Sequence, residues 1–294
     1  MGIGNLLVFH KKIKWSSVLI IFFVHMFSAI WSYHYAFPVK WQTILFCALV
    51  YLFSAVGVVV GVHRYWAHRA FKAKLPLQVL FVFMFSTTGQ STIKNWVRNH
   101  RLHHKVSDTE LDPHDASRGL FYSHIGWLMM KKTPQQIEFG RKIDVSDLER
   151  DPLVMWHERN VLTVNLLMSI ILPTLVNVLV VGEAWRCAVA WCCIRYLAVL
   201  HGQFSVNSLT HKFGTRPFNK SIKPANNRLV SLVTCGEGAH NYHHTFPFDY
   251  KGADKVHYLY LCTAVIKLFE KIGWAYDLRE ATPDMIKSAV HRLG

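Results

Sequence analysis

Residues 15–32 read WSSVLIIFFVHMFSAIWS, eighteen positions without a Lys, Arg, Asp or Glu. A run of that length and character matches the roughly 20 residues with which a helix crosses a hydrocarbon core. Residues 41–61 and 160–182 are likewise uncharged, and 184–206 carry only Arg186 and Arg195. The expected fold class is therefore an all-α integral membrane protein with four transmembrane helices, at 15–32, 41–61, 160–182 and 184–206. The connections within each pair are short, which makes two hairpins. A fifth apolar run, 75–88, is too short for a crossing and reads as a buried or interfacial helix.

Charge orients these spans. Of 33 Lys and Arg, three lie in 1–14, fifteen in 62–159 and twelve in 207–294, whereas the connections after the first and third spans hold Lys40 and Arg186. The positive-inside rule places both termini, 62–159 and 207–294 in the cytosol. Those two segments form the expected helical cap. The net charge of +15 invites a nucleic-acid reading, but the basic residues form no base-reading motif and hug the spans, so no nucleic-acid partner is expected. Part of the charge is topogenic; the rest suits anionic lipid or an anionic substrate head group. The six cysteines make no C-x-x-C pair, and no disulfide is expected. Residues 1–14 lack a cleavable signal pattern, so the first span reads as a signal anchor.

Against this apolar frame the histidines stand out. His240-Asn-Tyr-His243-His244 and His100-Arg-Leu-His103-His104 repeat one spacing, and residues at i, i+3 and i+4 share a helix face. His63 and His68 precede the first triplet; Asn207 and His211 precede the second. A spacing of five puts His63 and His68 about 140° apart on a regular helix, so the helix must end or distort there. The acidic stretch 107–115 offers carboxylates that either orient imidazole N–H groups or act as caps and solvated charge. His25, His114 and His124 lack the spacing and stay outside the set. Nine histidines overfill one coordination sphere, so two metals is the economical reading. All nine fall on the cytosolic side, at the ends of long apolar helices, which suits oxygen chemistry on an aliphatic chain and hence iron.

These four motifs, in this order, resemble those of the membrane acyl-CoA desaturases, the stearoyl-type Δ9 group of animals and its insect members above all. Asp112-Pro-His, Ser123-His-Ile-Gly-Trp-Leu, Ser146-Asp-Leu and Phe246-Pro-Phe-Asp-Tyr250 extend the likeness. The resemblance implies one desaturase domain over 1–294 in the endoplasmic reticulum membrane. It implies two iron ions held by His63, His68, His100, His103, His104, His211, His240, His243 and His244, with Asn207 acting through water. It further implies O2-dependent formation of a cis double bond in a fatty acyl-CoA, with electrons from cytochrome b5 and its NADH-dependent reductase. Gln90, Trp96, Gln203 and Phe204 would shape the bend of a substrate tunnel, Tyr51 and Ala55 its closed end, and Arg98 and Asn99 the CoA contact. The chain departs from the family pattern at Asn99 (usually Asp), at Gln203-Phe204 (usually Thr-Trp) and at 156–160, and it ends short of the family's usual tail. A hydroxylase or a desaturase of another lipid carrier is the first rival reading. A metal transporter is the second, although its ligands would lie inside the spans near the midplane.

Overall fold

The computed structural model describes residues 12–253 and 261–294; of the basic segment 1–14, residues 1–11 lie outside them. Among the described residues four helices are long and apolar enough to cross a membrane: Trp15–Tyr35, Trp41–Ala67, Pro152–Leu179 and Trp185–Ser208. A tryptophan opens the first, second and fourth, as suits a side chain that anchors at the membrane interface.

The first and fourth spans lie within three residues of the expected bounds, and the second and third depart further. The second span runs past residue 61, because its winding changes from α (Trp41–Val56) to π (Gly57–Ala67) instead of stopping. The third begins at Pro152 and ends at Leu179, whereas 160–182 was expected. The Asp151 carboxylate accepts the Leu153 and Val154 N–H groups and Pro152 opens the helix, so the charged residues Glu158 and Arg159 ride on its early turns.

The fourth span packs against the other three. At the end remote from the histidines, Glu183 ties the hairpins together: its carboxylate accepts Lys40 N–H and Thr43 Oγ1–H, both at 2.9 Å, and Ala184 N–H at 3.0 Å. Arg195, deep in the fourth span, has a partner for its charge in carbonyl groups. Its guanidinium donates to Thr87 O at 2.8 Å and to Ser169 O. Thr87 caps the end of helix Leu75–Ser86, and Ser169 lies in a second π segment, Leu167–Ile171. Both elements leave carbonyls without helical partners. A buried cation supplies the missing donors.

Helix Leu75–Ser86 covers about 18 Å at 1.5 Å per residue, short of a crossing, and buries Leu77, Phe81, Val82 and Phe85 completely. It lies on the π segment of the second span, and two glycines permit the approach. A Cβ on Gly57 would sit 2.4 Å from the Met84 carbonyl carbon, and one on Gly61 would sit 3.0 Å from Phe81 Cβ.

The cap gathers helices Ile93–Val106, Leu120–His124, Pro134–Arg141 and His240–Thr245 with the C-terminal helices Leu261–Lys271 and Pro283–Leu293. Residues 214–234 include helix Arg228–Thr234, which Asn227 caps by accepting Val230 N–H. Ala275–Tyr276 pairs antiparallel with Lys72–Ala73 and ties the C-terminal segment to the end of the second span.

Gly57→Ala is expected to cost about 1–3 kcal/mol through overpacking, seen as a lower Tm in detergent. Gly140→Ala, whose methyl would meet nothing nearer than Leu102 at 3.8 Å, should leave the Tm in place.

Candidate metal centre

The π winding solves the spacing problem posed by His63 and His68. A π-helix closes its turns with i→i+5 bonds, so residues five apart come to lie over one another. The His68 N–H donates to the His63 carbonyl at 3.0 Å, and the two rings stand 4.8 Å apart.

All nine histidines converge, in two groups. His63, His68, His100, His104 and His243 form one; His103, His211, His240 and His244 form the other. Each triplet is split the same way. Residues four apart on a helix differ by about 40° and adjacent ones by about 100°, so the i and i+4 rings share a group while the i+3 ring turns to its neighbour. Hence His100 and His104 go one way and His103 the other; His240 and His244 go one way and His243 the other. The uniform single face expected from spacing gives way to this alternation.

Carboxylates hold the rings from outside. His63 Nδ1 lies 3.0 Å from Glu237 Oε2, His103 Nδ1 2.9 Å from both Asp112 oxygens, and His211 Nδ1 2.9 Å from Asp108 Oδ2. The acidic stretch 107–115 therefore supplies orienting groups through Asp108 and Asp112. Glu237 is itself held by Arg64 Nη2 at 3.1 Å; it is buried, and His63 and Arg64 overcome the effect of burial to bring its carboxyl down to about 2. Burial likewise acts to raise Asp112, yet His103 holds it well below the usual carboxylate range. Burial, reinforced by neighbouring imidazoles, pushes His68, His100, His104, His240, His243 and His244 well below the ordinary histidine value. His103 is raised: burial opposes its charge and the Asp112 carboxylate outweighs it.

A neutral imidazole has one N–H. Where Nδ1 spends it on a carboxylate, Nε2 keeps a lone pair, and those lone pairs face inward. His63 Nε2 is 3.0 Å from His243 Nε2, which is 2.9 Å from His104 Nε2; His211 Nε2 is 2.9 Å from His240 Nε2, which is 3.1 Å from His244 Nε2. One nitrogen facing two others cannot hydrogen-bond all of them. A cation held by each group would satisfy them together, because every inward nitrogen could give its lone pair to it. His240 Nδ1 is buried without a partner. The donor set fits two metal ions of imidazole preference.

A cavity of about 300 Å³ runs beside this centre, lined by Gln90, Trp96, Asn99, His100, Gln203, Phe204 and Asn207 with apolar side chains of the first and fourth spans. A smaller cavity shares Trp96, His100, Gln203 and Asn207 with it and also touches His63, His103 and His240. A third shares Val58, Val59 and Gln203 with the second and is bounded by Tyr51 and Ala55. The six positions expected to line a tunnel thus line three neighbouring cavities with shared walls, and Asn207 stands in the wall that touches both histidine groups. Trp96 stacks on His100 with ring centroids 4.9 Å apart and donates Nε1–H to Gln90 Oε1 at 3.2 Å.

At the mouth, Asn99 accepts from Lys132 Nζ at 2.7 Å. Burial lowers the Lys132 ammonium, and Arg98 and Lys14 lower it further. The sequence had pointed to Arg98 and Asn99; Lys14 and Lys132 join them only through folding. Glu237 was also unanticipated, and its one signal was the pair of glycines around it.

The three histidines left out of the set divide. His114 is buried against Trp127, with Nδ1 3.8 Å from Asp112, and forms with His103 and Asp112 a third cluster of potential ligands. His25 Nδ1 donates to Ile21 O at 2.7 Å, and its Nε2 lies 3.1 Å from His201 Nε2; His201 Nδ1 is 2.9 Å from His124 Nε2. Those three rings form a separate polar seam between the first and fourth spans.

Glu237→Gln removes the charge that holds His63 and is expected to weaken metal binding 10- to 100-fold. Competition against a chelator, followed by metal analysis of the full-length protein, checks this. Glu110→Gln, in the same cap, is the control expected to bind as the parent does.

The sequence profile described as "Fatty acid desaturase" matches residues 39–277. An acyl-CoA Delta(11) desaturase of Spodoptera littoralis is 46% identical over 240 residues, 81% of this chain and 71% of that protein. An acyl-CoA Delta-9 desaturase of Acheta domesticus is 40% identical over 291 residues, 97% of this chain and 80% of that protein. A stearoyl-CoA desaturase of Homo sapiens is 41% identical over 240 residues, 81% and 67% of the two chains. With the histidine groups, the four spans and the profile match pointing the same way, the chain belongs to the fatty acid desaturase family.

Proposed function

We propose that this protein is an acyl-CoA desaturase of the endoplasmic reticulum membrane, folded as one domain with its termini and its histidine centre facing the cytosol. Its substrate is a saturated long-chain fatty acyl-CoA and its product carries a cis double bond, with Δ9 as the proposed position. The observation that carries the reading is the convergence of two sets of inward-facing imidazole lone pairs on the wall of a narrow, mostly apolar cavity.

The nine histidines would hold two iron ions, with Asn207 contributing through water. Bound there, the iron pair supplies the oxidising power to take two hydrogens from adjacent methylenes, as O2 is reduced to water with two protons and two electrons from cytochrome b5 and its reductase. The chain's own residues do the rest. Arg98, Lys14 and Lys132 supply positive charge at the mouth for the phosphates of CoA, beside Asn99. Gln90, Trp96, Gln203 and Phe204 shape the cavity where it meets the histidines, and so choose which methylenes are presented. An acyl chain has no polar handle near the reacting carbons, so position along the chain can be set only by the walls around it and by anchors at its ends. Delta(11) and Delta-9 enzymes both appear among the relatives. Gln203-Phe204, where the family pattern has Thr-Trp, stands at that decisive stretch.

Expression in a desaturase-deficient yeast, with double-bond positions read by mass spectrometry, is expected to give a new monounsaturated fatty acid that is lost in His103→Ala. A hydroxylated product, or none from protein that holds its metal, would overturn the proposal; a Δ11 product would replace its position alone. Lys132→Ala is expected to raise KM for acyl-CoA about fivefold to tenfold, as for one charged hydrogen bond, with kcat unchanged.

A further inference from the structure

Beyond the fourth span the chain carries cations without carboxylates. No Asp or Glu stands between Glu183 and Glu237, while Lys212, Arg216, Lys220, Lys223 and Arg228 follow one another. Among the described residues none of the five joins an ion pair. The fold gathers four of them. Thr215 and Asn226 exchange both backbone hydrogen bonds, at 3.1 and 2.7 Å, so the chain doubles back on itself. Asn227 Nδ2 donates to Phe213 O at 3.2 Å, and Arg216 Nε donates to Lys223 O at 2.9 Å. Gly214 permits the closeness: it has φ +136°, and a Cβ there would stand 2.1 Å from Asn226 O. Lys212 and Phe213 therefore adjoin Arg228 and Leu229, with Arg216 beside Lys223.

Next to these cations the surface is apolar. Helix Arg228–Thr234 buries Val230, Ser231 and Thr234. It turns Leu229, Leu232 and Val233 outward, on one face at i, i+3 and i+4. Leu229 and Leu232 are 62% and 61% exposed. This face lies at membrane depth. Tyr51, on the second span, donates its hydroxyl to the Val233 carbonyl. A Cβ on Gly202 would stand 3.9 Å from that carbonyl oxygen, and Gly202 precedes Ser208, the last residue of the fourth span, by six residues. Six residues of α-helix cover about 9 Å. The short helix needs no water there. Asn227 Oδ1 accepts the Val230 N–H, the Gly236 N–H donates to Ser231 O, and Tyr51 serves the Val233 carbonyl. Backbone inside an apolar layer requires such partners.

We propose that the cations Lys212, Arg216, Lys223 and Arg228, with the exposed face of helix Arg228–Thr234, form a binding site for an anionic phospholipid. The lipid belongs to the leaflet on the side of the histidine centre. The cations meet its negatively charged head group, and Phe213 and the leucines lie along its acyl chains. A zwitterionic lipid offers the same chains without the net charge, so it gains the second contribution alone. The site is separate from the cavity beside the histidines and does not depend on the acyl-CoA reading. It reaches the centre through the chain itself, since the helix runs on into Glu237, 3.0 Å from His63 Nδ1.

The test takes the full-length protein in neutral detergent and titrates it with phosphatidylserine or phosphatidylcholine of identical acyl chains, reading Tm. Phosphatidylserine is expected to raise Tm at a concentration at least about 25-fold below that of phosphatidylcholine. Lys212→Gln combined with Arg228→Gln should raise the half-saturating phosphatidylserine concentration about 25-fold, fivefold for each cation. Both side chains are exposed, so the Tm of this variant without lipid should match the parent's. Lys142→Gln, which removes a cation from the cap, should titrate as the parent does. Equal responses to the two lipids would overturn the proposal. So would parent affinity for phosphatidylserine in the double variant. An equal rise of Tm with inorganic phosphate alone would assign the cations to a soluble anion and overturn the lipid.

Discussion

Bringing nine imidazoles together in a buried place is unfavourable unless two conditions hold at once. Most rings must be neutral, since a charged ring deprived of water and surrounded by like groups is costly unless a carboxylate pairs with it, as Asp112 does with His103. Each must also have its single N–H turned away from the others, so that the inward nitrogen offers a lone pair. Asp108, Asp112 and Glu237 impose the second condition on His211, His103 and His63, and burial imposes the first on most of the rest. The remainder of the fold can be understood as what keeps those carboxylates and rings in register. Arg64, itself almost fully buried, fixes Glu237 and also donates to the Tyr250 carbonyl at 2.8 Å. The second span, the Gly-Glu-Gly loop and the segment after the last histidines are thereby locked to one another.

The membrane half obeys the same rule by other means. Where a helix ends or changes winding inside the apolar layer, carbonyls appear that water cannot reach, and each needs a donor. Arg195 serves two of them across three elements. Glu183 performs the converse service at the opposite rim, collecting donors from both hairpins. Two charged residues in apolar surroundings thus hold four helices without pairing to each other.

Much of this was legible in the sequence because it depends on local periodicity. Uncharged runs give the spans. The i, i+3, i+4 histidines mark the rings that converge, and the five-residue step from His63 to His68 called for a distorted helix, which the π segment is. What stayed hidden depends on contacts between distant parts of the chain. Glu237 lies 3.0 Å from His63 in space but far from it in sequence, and no local pattern joins them. Spacing sets the third ring of each triplet apart from the other two, but which rings of one helix meet which of the other follows from how the helices face each other. Lys14 and Lys132 reach the mouth of the cavity from opposite ends of the first half of the chain. The extra turns of the third span were masked by Glu158 and Arg159, charges that ended the apolar run while the Asp151 cap carried the helix on.

The π winding of residues 57–67 separates two jobs that one helix would otherwise do in a fixed phase. Each residue on an α-helix advances about 100°, so the side facing lipid at the lower end dictates the side facing the cap at the upper. A wider turn inserted between them resets that phase. Residues 41–56 can then vary to suit the bilayer and the cavity they line, while His63 and His68 keep an angular setting of their own. The second span behaves as two rods joined end to end with an adjustable twist, and the fit of the cavity wall and the setting of the imidazoles become separately tunable.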